Sequence, residues 1–141
     1  SNVGQARERA GDLAGAIAAH GEAYALARAL AERDTASPEA RRDALRDAGL
    51  FQQALGVAQA KAGALREAFA SHQAQTALFA GLVARDTADT DLRRYLALAD
   101  GYRGLDALAL GLVDTARAAL RRSADELAAL TARDPANVEW R

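Results

Sequence analysis

The chain of 141 residues has two histidines, His20 and His72, and they stand 52 residues apart. Histidine changes charge near neutral pH and is the commonest metal ligand, so this pair is the first place to look for chemistry. Each lies sixteen residues after a glycine, Gly4 or Gly56, and Leu120 follows Gly104 by the same interval. The two imidazoles therefore hold one position in successive copies of a repeated unit. Such positions are separated by an intervening helix, which at about 8–10 Å per helix contact puts them roughly 20 Å apart. They are too distant to share a metal ion, and the role expected of each is packing.

The arginine pairs are the next candidates. Arg41-Arg42, Arg93-Arg94 and Arg121-Arg122 carry the charge a phosphate would need. The first two pairs follow acidic residues at equivalent places, so ion pairing within a helix or between units is the expected use. Asp43, Asp47, Asp100 and Asp106 are carboxylates on helices without a histidine at catalytic spacing, and solvated helix faces account for them. The chain has no P-loop, H-E-x-x-H, G-x-S-x-G or EF-hand pattern, and in "GYRG" (101–104) the last glycine belongs to the repeat. With no cysteine there is no thiolate chemistry, no disulfide and no zinc–thiolate site. No catalytic, cofactor-binding or metal-ligating residue is assigned, and catalysis is not expected.

Charge narrows the partners. Eighteen basic residues against nineteen acidic ones provide no field for nucleic acid or anionic lipid. No apolar run approaches the length of about 18 residues that crosses a bilayer, and no secretory signal is present. The expected location is cytoplasmic. Since the chain starts Ser-Asn and contains no methionine, it reads as a segment from which a signal could have been removed. Seventeen arginines against one lysine, Lys61, suggest a GC-rich coding sequence. Half the residues are hydrophobic, but alanine dominates and aromatics are only 5%, which favours helices packed closely through small side chains.

What positions these residues is an internal repeat. "VGQARERAGDLAGA" (3–16), "LGVAQAKAGALREA" (55–68) and "RGLDALALGLVDTA" (103–116) share one skeleton: glycine, glycine at +7, Leu or Val at +9, Ala at +12. The positions are Gly4, Gly11, Leu13 and Ala16; Gly56, Gly63, Leu65 and Ala68; Gly104, Gly111, Val113 and Ala116. The register extends to "ERDTASPEARR" (32–42), "ARDTADTDLRR" (84–94) and "ARDPANVEWR" (132–141), in which Ser37, Asp89 and Asn137 coincide. All three are good helix N-caps, and Glu39, Asp91 and Glu139 follow in the first turn, where acidic groups favour the positive end of the helix dipole. Pro38 stands just after its cap, where a missing N–H costs nothing.

Each unit parses as two helices, the first over about 38–61 and 90–110 with only a tail, about 3–9, at the N-terminus. The second spans about 12–33, 64–85 and 112–133. Leu13/Leu65/Val113, Ala16/Ala68/Ala116, Ala27/Phe79/Leu127 and Leu30/Leu82/Leu130 form the expected buried stripe. The second glycine of each skeleton is expected to end a helix in the left-handed conformation. The first lies mid-helix, where glycine costs about 1 kcal/mol against alanine, so a neighbouring helix should approach it closely, with Ala at +12 as the small counterpart. From Thr35 to Gly56 is 21 residues and from Thr87 to Gly104 is 17, a difference close to one helical turn that keeps the buried face nearly in phase.

Glycine, glycine at +7, alanine at +12 and a large residue at +16 resembles the tetratricopeptide repeat (TPR), here in an elongated variety of 48 and 52 residues against the usual 34. "GDLAGA" (11–16) and the later Asp134, Pro135, Asn137 and Trp140 carry the same likeness. The resemblance implies an all-α fold, an α-solenoid of antiparallel helix pairs in a right-handed superhelix of about six helices. One domain, 1–141, would hold units of approximately 1–36, 37–88 and 89–136, with 137–141 starting a further, truncated helix. It further implies a non-catalytic interaction scaffold, a module of a larger bacterial protein, whose first helices line a concave surface for a protein or peptide segment. Mapped by spacing, that surface holds Leu50, Gln53, Val57, Ala60 and Lys61 in the middle unit and Leu98, Gly101, Leu105, Leu108 and Ala109 in the last, with Tyr95 and Tyr102 as rim contacts. The family's carboxylate clamp uses Lys and Asn at such places; with Gln53, Val57, Gly101 and Leu105 there, no clamp is expected. The rival readings are a spacer or oligomerisation module that self-associates through its solenoid edges, and a helical domain that closes on a small ligand. Trp140 is expected to open a helix that continues or meets an adjacent domain.

Overall fold

Ser37 and Asp89 start their helices as the repeat register requires. The Ser37 hydroxyl accepts a hydrogen bond from the Ala40 amide at 3.1 Å and the Asp89 carboxylate accepts one from the Leu92 amide at 3.0 Å. Each thereby satisfies an amide that the first helical turn leaves without a partner. The computed structural model describes residues 2–33 and 35–133. Within them lie five helices: α1 (Asn2–Ala31), α2 (Pro38–Lys61), α3 (Leu65–Arg85), α4 (Thr90–Ala109) and α5 (Val113–Arg133). The described residues contain no strand, and the fold is all-α. Asp134, Pro135, Asn137, Glu139 and Trp140 lie outside the described residues.

Two of the repeat's turns form as the glycines demand. Gly63 and Gly111 take φ values of +82° and +80°, which a Cβ would make costly. After α2 the Ala64 amide reaches back to the Gln59 carbonyl at 2.9 Å and the Gly63 amide to Ala60 at 3.0 Å. After α4, Leu112 reaches Ala107 at 2.8 Å and Gly111 reaches Leu108 at 3.0 Å. Both are Schellman closures, which satisfy the last carbonyls of a helix.

The third expected turn is absent. Gly11 and Gly4 both lie inside α1, which runs unbroken through the skeleton, so five helices stand where six were expected. The reason is the missing partner surface. Between residues 2 and 10 only Val3 is a large apolar side chain. With so few large apolar residues to bury against a neighbour, this stretch gains little from turning back, whereas continuing the helix keeps its backbone hydrogen bonds.

Consecutive helices pack on one another, α1 on α2, α2 on α3, α3 on α4 and α4 on α5. The core gathers Phe79, Leu82, Leu92 and Ala99, with Leu45 and Leu50 of α2 laid over them and Leu78, Val83, Tyr95 and Leu96 around the edge. The rings of Phe79 and Tyr95 are tilted, 5.4 Å between centroids. Ala68, Ala116, Phe79, Leu82 and Leu130 of the expected stripe are buried. Leu30 and Val113 are exposed instead, because no further helix covers them among the described residues. No helix of the described residues is long and apolar enough to cross a membrane.

Candidate functional site

Gly56 explains where His72 goes. A Cβ at Gly56 would stand 2.7 Å from Cδ2 and from Cε1 of His72, with Nε2 closer still, so the imidazole occupies the volume a side chain would fill. The ring is buried between α2 and α4, stacking on Tyr102 at 5.0 Å between centroids with planes 16° apart. Its Nδ1 hydrogen-bonds to Oδ2 of Asp106. Its other nitrogen, Nε2, is buried without a hydrogen-bond partner. Leu120 fills the same niche one unit on, 2.7 Å by its Cγ from a Cβ at Gly104. The nearest neighbour of Gly56 and of Gly104 is thus the residue at +16 rather than the alanine at +12, and at Gly104 the Leu120 backbone nitrogen also comes within 3.2 Å of the Cβ position.

The first copy of this niche is not built. Gly4 and His20 share the continuous helix α1, so their separation along it is about 24 Å at 1.5 Å per residue. His20 is half-buried.

Asp106 and Asp100 depart from the expectation of solvated carboxylates: both are buried. Asp106 pairs with a histidine 34 residues earlier in the chain. Asp100 accepts from Arg103 at 3.0 Å and lies 3.7 Å from Arg122. One sequence signal was present. Asp106 is two residues past Gly104, and the residue two past Gly56 is Ala58, a small buried side chain. The repeat register therefore aligns Asp106 with a position that is interior in the preceding unit.

A catalytic dyad is not what His72 and Asp106 make. The nitrogen that would exchange a proton with substrate, Nε2, faces the backbone of Gly56, so no substrate atom reaches it unless α2 moves away. Further polar pairs tie α3 to α2, with Ser71 donating to Gln59 at 2.6 Å and Gln75 donating to Gln53 at 3.0 Å. The arginine pairs are engaged largely as expected. Arg93 pairs with Glu126 at 2.6 Å, Arg42 with Asp86 at 3.7 Å, and Arg41 Nε donates to the Ala31 carbonyl at 3.2 Å. Arg94 sits 5.0 Å over the Tyr95 ring. The described residues include no group of three His, Asp or Glu side chains placed to hold a metal ion.

The residues mapped to a binding surface divide between two fates. In the middle unit Leu50 packs against the core and Gln53 accepts the hydrogen bond from Gln75, while Val57 and Ala60 are half-buried and Lys61 is exposed at the end of α2. Leu50 and Gln53 are thus engaged by packing against neighbouring helices, while Val57, Ala60 and Lys61 keep part of their surface open. In the last unit Leu98, Gly101, Tyr102 and Leu105 come together with Ser123 around a depression of about 170 Å³. Leu105 and Leu108 are 57% and 54% exposed, and Ala109, Leu112 before α5 and Val113 at its start are exposed as well. Tyr102 stacks on His72 and also lines the depression, while Tyr95 packs against the core. Comparisons with protein-family models, with curated proteins and with solved structures returned no match.

Proposed function

We propose that the chain is a non-catalytic, TPR-like solenoid module that binds a partner protein segment on its concave surface, at the exposed face of α4. The observation that carries this reading is the pair Leu105 and Leu108, both more than half exposed, beside the depression formed with Leu98 and Tyr102. Large apolar side chains grouped around a concavity are costly to leave in water and are what a docking segment covers. Tyr102 supplies an anchor already held in place by its stack on His72. The buried polar pairs that tie α2 to α3 and α3 to α4 would keep that face in one shape, which lowers the cost of binding.

The test compares proteins retained from a cell lysate by the wild-type chain and by Leu105→Glu/Leu108→Glu, after circular dichroism has shown both to be equally helical. A partner retained by wild type, lost by the variant and then bound in purified form supports the reading. Identical retained sets overturn it.

A further inference from the structure

The cleft between α1 and α2, about 660 Å³ in volume, is a core site of the repeat that lacks its third helix. The caps Ser37 and Asp89 set an offset of 52 residues between the starts of α2 and α4, and the second helices α1 and α3 keep the same offset. Along the floor of the cleft, Leu26, Ala27 and Leu30 become Leu78, Phe79 and Leu82 in the next unit. On its α2 wall, Ala40 and Ala44 become Leu92 and Leu96, and Asp43 and Asp47 become Tyr95 and Ala99. Every one of those counterparts belongs to the single core cluster or packs on its edge. There the site is closed by α2, which lays Leu45 and Leu50 across the α3–α4 pair. Across the α1–α2 pair nothing among the described residues does so, and Leu30 is 48% exposed where Leu82 is 4%.

We propose that this cleft receives a helix from a partner protein, lying on α1 and α2 as α2 lies on α3 and α4, with a bulky apolar seam and a positively charged flank. This is a second docking surface, independent of the α4 face. The bulk follows from the floor. Gly49 of α2 is required where it crosses Phe79, whose ring would stand 2.5 Å from a Cβ there. In the cleft that ring is replaced by Ala27, and two leucines of the wall are replaced by Ala40 and Ala44. An occupant therefore fills the site only if it is large where α2 is a glycine.

The charge follows from the wall. Arg42 and Arg46 of α2 lie beside Leu92 and Tyr95 in a small cleft of the core unit. A helix docked in the same way one unit earlier would bring its equivalent residues to Ala40 and Asp43, with Asp47 a turn further on. Arg46 is 3.9 Å from both carboxylates, in contacts that are about half exposed and weakly stabilising, so the Asp43–Asp47 edge of the cleft, which Arg33 just past the end of α1 also lines, remains open to an incoming cation.

The chain's own α2 supplies the probe. Fluorescein-labelled peptides of residues 38–61 carrying Gly49→Phe or Gly49→Ala are titrated with the protein and followed by fluorescence anisotropy. The two share helix-favouring substitutions and differ in the ring. The Phe peptide should bind at least tenfold more tightly, and adding Arg42→Glu and Arg46→Glu to it should cost fivefold or more. Binding should vanish with the Leu26→Glu/Leu30→Glu protein, whose altered side chains are exposed and whose helicity is checked first. It should be unchanged with Leu105→Glu/Leu108→Glu, so failure here is separate from failure of the α4 reading. Equal affinity of the two peptides, or binding untouched by Leu26→Glu/Leu30→Glu, overturns the proposal. So does sedimentation showing a dimer that this pair of substitutions converts to monomer, because the cleft would then be filled by a second copy.

Discussion

One methyl group at Gly56 probes the packing of the whole α2–α3–α4 interface. In Gly56→Ala the new Cβ would stand 2.7 Å from two carbons of the His72 ring, well inside van der Waals contact. The ring has nowhere to retreat, since Asp106 holds its Nδ1 and Tyr102 covers one face. Overpacking of this kind costs about 1–3 kcal/mol, and loosening the hydrogen bond to Asp106 adds about 1 kcal/mol. Against that, alanine is better than glycine in a helix interior by about 1 kcal/mol. The net expectation is a loss of roughly 1–3 kcal/mol, which at roughly 3–5 °C per kcal/mol for a domain of this size lowers Tm by about 3–15 °C. Gly81→Ala is the control: it also lies within a helix, but a Cβ there meets nothing within 4 Å. It should gain about 0.5–1 kcal/mol and raise Tm by a few degrees. Thermal and urea denaturation followed by circular dichroism read both. If Gly56→Ala raises Tm as Gly81→Ala does, the close approach of His72 is not real and the account of the mid-helix glycines fails.

His72→Leu keeps the niche filled, as Leu120 does at Gly104, but leaves Asp106 buried without its partner. It should cost about 2–4 kcal/mol in urea denaturation, and adding Asp106→Leu should recover most of that loss, a coupling that additive single-residue effects would not produce. Gly11→Ala should stabilise by about 0.5–1 kcal/mol because the residue is helical with open space around it, whereas Gly63→Ala should destabilise by about 1–2 kcal/mol because its φ is positive. A drop in Tm for Gly11→Ala would mean that α1 turns at that glycine after all.

Local signals in the amino-acid order specified where helices begin and end. The Ser37 and Asp89 caps, the glycines at 63 and 111 and the lengths of α2 to α5 follow from residues within a turn or two of each boundary, and backbone hydrogen bonds at those ends are satisfied locally. The presence of something close against Gly56 and Gly104 was legible for the same reason, because an interior glycine needs compensation. Which residue stands there was not, since His72 and Leu120 reach those glycines only through the way α3 and α5 are set against α2 and α4. Gly11 carries the same skeleton as Gly63 but stays helical, because a turn persists only when the arms on both sides have a face to bury. Leu30 and Leu82 occupy one position on one stripe, yet one is exposed and the other buried, and Asp106 joins the interior by way of a partner 34 residues away. Burial and pairing of this kind depend on which helix lies across the site. That is a property of the assembled chain, because hydrophobic contact and side-chain hydrogen bonding act between surfaces that the local order of residues does not bring together.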